Sequence, residues 1–123
     1  MLRYLSDEWL AEADAALAGL APLPRPLTVG FVVTGGPDGD RSYRIRLGPE
    51  QVRLWSGRED APVALVQAWS TARAIAQGER SAQRAFLDGD IRIDGDVTAL
   101  LGHQQALAGI EDRLADLRSR TSF

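Results

Sequence analysis

The 123-residue chain contains no cysteine and no lysine. Without cysteine it has no disulfide, no thiolate nucleophile and no sulfur-ligated metal site. Without lysine it has neither the phosphate-gripping lysine of a P-loop nor an amine for Schiff-base chemistry. All fourteen basic residues are therefore arginine, against seventeen Asp and Glu. The resulting net charge of −3 opposes attraction to a phosphate backbone, and no nucleic-acid partner is expected. Long apolar runs are missing too: Phe31-Val32-Val33 is typical, whereas a bilayer span needs roughly 20 such residues. No integral membrane insertion is expected. Met1-Leu2-Arg3-Tyr4 leads into acidic Asp7 and Glu8 rather than into a greasy signal segment, which makes the cytoplasm the expected location. One histidine, His103, with no thiol beside it, argues against zinc. No metal, no cofactor and no catalytic residue is expected.

What remains is 45% hydrophobic and 25% charged, the balance of one globular domain spanning residues 1–123. Residues 1–21 read as an amphipathic helix. Ser6 is placed to cap it, Asp7 and Glu8 suit its first turn, and Leu5, Trp9, Ala13, Leu17 and Leu20 form one apolar stripe. Pro22, Pro24 and Pro26 end it. Residues 27–67 change to a period of two and read as an antiparallel meander. Leu27, Val29, Phe31 and Val33 alternate with Thr28, Gly30, Val32 and Thr34; a turn follows over 35–40; Tyr43, Ile45 and Leu47 then alternate with Ser42, Arg44 and Arg46. Gln51 to Trp55 and Val63 to Val66 supply two further strands. In residues 70–123, Ser70 and Ser81 are placed to cap short helices stopped by Gly78 and Gly89, Ile91 and Ile93 face inward from a short strand, and Asp96 opens a long final helix reaching about Arg120. Leu100, Leu107 and Leu114, with His103, Ile110 and Leu117, repeat at seven. That seam predicts pairing with the first helix, in the same chain or in a homodimer or partner protein. The order of elements predicts a layered α+β domain.

Polar motifs give little chemistry. His103 falls mid-helix in an apolar repeat, where packing explains it better than catalysis. The acidic run Asp88 to Asp96 has Arg92 and Ile93 where a calcium loop needs an oxygen ligand and a glycine. Gly35, Gly36 and Gly39 have no helix after them to bind phosphate and read as a hairpin turn. Arg44, Arg46 and Arg53 read as a solvated stripe on the outer sheet face. The apolar residues Trp69, Phe86, Ile91, Ile93, Leu100 and Leu101 lie on the elements that must cover the greasy face of the meander. Residue types alone leave open whether that layer is close-packed or hollow.

Residues 60 to 107 resemble a known family. Ala74-Ile75-Ala76-Gln77-Gly78, then Ser81 through Phe86 to Gly89, then Ile91-Arg92-Ile93-Asp94-Gly95-Asp96 are similar to the sterol carrier protein 2 family. With the upstream strands the likeness covers about residues 27 to 107. It implies a mainly antiparallel five-stranded sheet with helices packed on one face, supplemented here by the N-terminal helix and a long C-terminal helix. It also implies an apolar cavity between sheet and helices that holds a sterol, fatty acid or acyl chain without catalysis. Carried onto this chain, that cavity is walled by Val29, Phe31, Val33, Trp69, Phe86, Ile91, Ile93, Leu100 and Leu101. Asp90, Arg92 and Asp94 differ from the lysines common in the family near that strand, and Thr121-Ser122-Phe123 is not the peroxisomal tripeptide. Two rival readings remain: a packed interaction or dimerisation module with the cavity filled, and a small enzyme using Tyr43 or an aspartate as acid or base.

Overall fold

The computed structural model describes residues 1–20, 25–59, 61–100 and 103–123. Ser6 caps the first helix, α1 (Asp7–Leu17), by accepting from the Trp9 amide at 3.2 Å. The helix buries Trp9, Leu10, Ala13 and Leu17, the stripe its period predicts. Just before it Leu5 sits at φ 65°, a left-handed backbone that a branched side chain adopts only under constraint. Two constraints are visible: the Leu5 side chain is almost wholly buried, and its carbonyl accepts from Arg41 Nε at 3.1 Å.

Four strands follow, β2 (Leu27–Gly36), β3 (Gly39–Leu47), β4 (Val52–Ser56) and β5 (Val63–Ala68), and a later one, β6 (Ile91–Gly95), completes a sheet ordered β4-β3-β2-β5-β6. Three of its four pairings are antiparallel. The expected meander holds from β2 to β4 and then fails. β5 does not return beside β4; it crosses to the far side of β2 and pairs with it in parallel, Val29 opposite Val63 and Phe31 opposite Leu65. Its nearly continuous apolar run suits a central strand covered on both faces. The crossing chain lies over the outer face at Gly30, where a Cβ would stand 3.2 Å from the Cβ atoms of Arg58 and Ala64 and 3.3 Å from that of Ala61. Gly30 is thus the residue that lets the crossover lie flat.

Arg44 is not merely solvated: its guanidinium donates to the carbonyls of Ser56 and Gly57 at 2.9 and 3.2 Å and meets Glu59, fastening the start of the crossover. Arg53 turns to Asp14, and both Arg44 and Arg53 lie over the Trp55 ring.

All the longer helices lie against the other face. α2 (Trp69–Ala76) starts one residue before the expected cap, with Ala68 rather than Ser70 at its N-cap. α3 (Ala82–Leu87) is capped by Ser81, which accepts from the Arg84 amide. The long final helix is broken into parts. Asp96 accepts from both the amide and the hydroxyl of Thr98, closing a short 3-10 turn over Val97–Ala99 instead of propagating a helix. α4 then runs only over Gln104–Ala115, with His103 at its N-cap rather than in mid-helix, and a second 3-10 turn spans Arg118–Arg120. The two chain ends form a small parallel ribbon, β1 (Leu2–Arg3) against β7 (Thr121–Ser122).

Asp14 binds α1 to the edge of the sheet. Its Oδ1 accepts from the backbone amide of Leu54 on edge strand β4 at 2.8 Å and from Arg53 Nε at 3.2 Å. Replacing Asp14 with alanine leaves that amide without its partner, so urea denaturation of Asp14→Ala is expected to show a loss of about 1–3 kcal/mol; no change in midpoint would mean that the bond carries no stability.

Candidate functional site

Between the inner face of the sheet and the helices lies a hollow of about 960 Å³, at the upper end of the roughly 300–1,000 Å³ that small-molecule sites occupy. Its sheet wall consists of Phe31, Tyr43, Leu65, Gln67, Ile91 and Ile93. The register explains this: Tyr43, Phe31, Leu65 and Ile93 stand directly opposite one another on neighbouring strands, and Gln67 stands opposite Ile91. Phe31 and Tyr43 stack with ring centroids 4.8 Å apart and planes 9° from parallel. The helical wall is made of Ala72, Ile75 and Ala76 from α2, Phe86 from α3, and Leu107, Ile110 and Leu114 from α4. Ala72 and Ala76 are the small residues of this wall and leave room beside the larger ones. Tyr4 and Trp9 also line the hollow; their rings meet edge to face at 5.1 Å, and Trp9 Nε1 donates to Thr121 at 3.2 Å.

The hollow opens to solvent past Phe86 and Val97, each 47% exposed. Charged residues on its lining belong to the rim. Arg80 is held by Asp88 at 3.0 Å and Asp90 at 2.6 Å, hydrogen bonds that raise its pKa further. Arg118 donates to the Ala76 carbonyl at 2.9 Å, while Glu79 and Glu111 are exposed. Among the described residues no group of His, Asp or Glu is arranged to hold a metal ion.

Of the residues assigned to the cavity from sequence, Phe31, Phe86, Ile91, Ile93 and Leu100 line the hollow. Val29 and Val33 share the face of Phe31 but lie outside it, because packing covers them to 0% and 2% exposure. Trp69 lies outside it as well, its ring 5.3 Å from that of Tyr4 and close over Gly36. Leu101 falls outside the described residues. Sequence reasoning passed over Tyr4, Trp9, Leu65 and Gln67, and it read Leu107, Ile110 and Leu114 as a helix-pairing seam. α4 does pack against α1 of the same chain, and those three seam residues also line the hollow, with Ile110 and Leu117 buried in the core.

Tyr43 offers no acid or base near neutrality. Burial pushes its phenol well above the ordinary value of 10, and burial followed by the proximity of Tyr43 does the same to Tyr4. Both phenols are therefore protonated in the folded state and ionise more readily once unfolded. A group whose folded pKa is raised gives full stability below its unfolded pKa and loses it as pH climbs above that point. With no lysine in the chain, these two phenols dominate the alkaline range. Stability is expected to fall as pH climbs through about 10, each phenol adding a slope that approaches roughly 1 kcal/mol per pH unit. Urea denaturation at successive pH values measures the slope, and Tyr43→Phe should halve it; a flat profile would contradict the assignment.

No protein-family model matches the chain, and no curated protein does. Its architecture, by contrast, has close counterparts among solved structures. A conserved hypothetical protein of Thermus thermophilus, described as a candidate sterol carrier protein, superimposes with a TM-score of 0.77 at 13% identity, over 95% of this chain and 91% of that one. Sterol carrier protein 2 gives 0.74 at 12% identity, over 93% and 98%. A palmitated sterol carrier protein 2-like protein of Aedes aegypti gives 0.58 at 15% identity, over 89% and 94%. The chain has the sterol carrier protein 2 fold.

Proposed function

We propose that this chain, built on a fold shared with sterol carriers, binds or transfers a hydrophobic ligand, a sterol, fatty acid or other acyl chain, without chemically altering it. The observation that carries this reading is the hollow of about 960 Å³ with its apolar walls, open past Phe86 and Val97. Each methylene moved from water into such a space gains about 0.8 kcal/mol, so an acyl chain or ring system binds with little need for polar contacts. Phe31, Phe86, Ile91, Ile93 and Leu100 are the contacts proposed from sequence that line it, joined by Leu65 and the helical alanines. No helix among the described residues is long and apolar enough to cross a membrane.

The rival reading, a packed module that pairs through its terminal helices, drew on the heptad seam. Leu107, Ile110 and Leu114 are engaged with the interior of their own chain, which removes that motive. The enzymatic reading needs an ionisable group tuned toward neutrality in the hollow, and Tyr43 is shifted the opposite way.

Titration with the uncharged dye Nile red is expected to show saturable binding to the purified chain. Ala76→Trp, which places an indole in the hollow, should weaken it by about tenfold or more while leaving the circular dichroism spectrum unchanged. Absence of saturable binding to the unmodified chain would refute the carrier reading.

A further inference from the structure

The two edges of the five-stranded sheet are finished differently. On β4 the Asp14 carboxylate accepts from the outward Leu54 amide at 2.8 Å, which closes that amide to an incoming strand. At the opposite edge stands β6, and among the described residues no strand lies beyond it. The Asp96 amide donates to the Pro62 carbonyl at 3.0 Å, which sets the phase of the β5–β6 ladder. Arg92 and Asp94 therefore turn their main-chain groups toward β5, while Ile91 and Ile93 turn theirs to the open side. The side-chain hydrogen bonds around the strand go to the carboxylates of Asp90, Asp94 and Asp96 rather than to that open backbone.

Charges on an edge strand commonly deter pairing, and charges of one sign would do so here. β6 instead carries one of each sign: Arg92 and Asp94 are both exposed and alternate with Ile91 and Ile93, which line the hollow on the other face. A second β6 laid antiparallel with Ile93 at the centre sets each Arg92 directly opposite the other copy's Asp94. The same register makes Ile93 a mutually hydrogen-bonded pair, which its outward N–H and C=O require. Sliding by two residues either way brings Arg92 onto Arg92 or Asp94 onto Asp94, so charge fixes the register. Asp90 and Asp96, the like charges that meet at the two ends, are already engaged by Arg80 and Thr98.

We infer that β6 is a self-complementary edge through which two copies of this chain join their sheets into one continuous sheet. The inference is independent of what fills the hollow. Leu87 and Val97, which flank the strand in sequence, are exposed and supply apolar surface to such a contact. Pairing through a strand of 5 residues is smaller than a standard interface, so the dimer is expected to be weak.

Sedimentation velocity of the full chain over a range of about 5–500 µM is expected to show a monomer–dimer equilibrium with a Kd of about 50 µM. Arg92→Asp and Asp94→Arg each set like charges opposite one another at both symmetry-related positions, and each should weaken association about tenfold or more. An equimolar mixture of the two variants restores opposite charges at both positions and should associate to within about threefold of the unmodified chain. Asp94→Arg also gives up the exposed pair with Arg58, so recovery in the mixture is the decisive reading, because a misfolded chain does not regain a partner. A chain that stays monomeric throughout, a dimer that both reversals leave unchanged, or a mixture that fails to recover would each overturn the inference. None of these results bears on the carrier reading, which dye binding tests separately.

Discussion

The parallel pairing of β2 with β5 is the constraint on which the rest of the molecule depends. A parallel neighbour cannot be reached by a tight turn; the chain must cross from one side of β2 to the other, and here it does so over the outer face. Gly30 lets the crossing segment approach the sheet, and Arg44 ties its first residues to β3. With the crossover on one side, the opposite side is left for α1, α2 and α4. The hollow exists on that side because the connection was made on the other.

The hollow is also a matter of what the helices do not carry. Interiors normally close-pack, and a space of this size persists only if the elements around it are held apart by contacts elsewhere. Those contacts are visible at both ends of the layer. At one end Asp14 fixes α1 to the β4 edge and Arg41 holds the turn before it. At the other, Arg80 gathers Asp88 and Asp90 around the α3–β6 connection. Between these anchors Ala72 and Ala76 present only methyl groups to the hollow. The outcome is a sheet and a helical layer spaced by their margins.

Local signals in the sequence carried much of this architecture. The alternation of Leu27, Val29, Phe31 and Val33, the caps at Ser6 and Ser81, and the inward Ile91 and Ile93 all record interactions within a few residues, and such interactions are written into neighbouring positions. The partner of β5 was not readable, because periodicity tells which face a strand buries and not which strand lies beside it. The repeat of Leu107, Ile110 and Leu114 was ambiguous for a related reason: an apolar stripe looks the same whether it meets another helix or an opening. Gln67 shares the face of Leu65 by alternation but escaped notice at the polar end of an apolar run, where its partners Val33 and Ile91 were not readable. The final helix was overextended because Asp96 was read as capping a continuous helix, while its bonds to Thr98 close a single turn.

The terminal ribbon gives the aromatic wall a timetable. Tyr4 donates its amide to Ser122 and packs against Phe123, and Trp9 leans on Thr121. Residues from the first tenth of the chain are thus finally positioned by its last three. Contacts of such long sequence separation form slowly, so the packing of these rings against the ribbon is expected to complete late in folding. The same rings are uncovered whenever the ribbon opens, and exposed aromatic surface promotes association of partly folded copies.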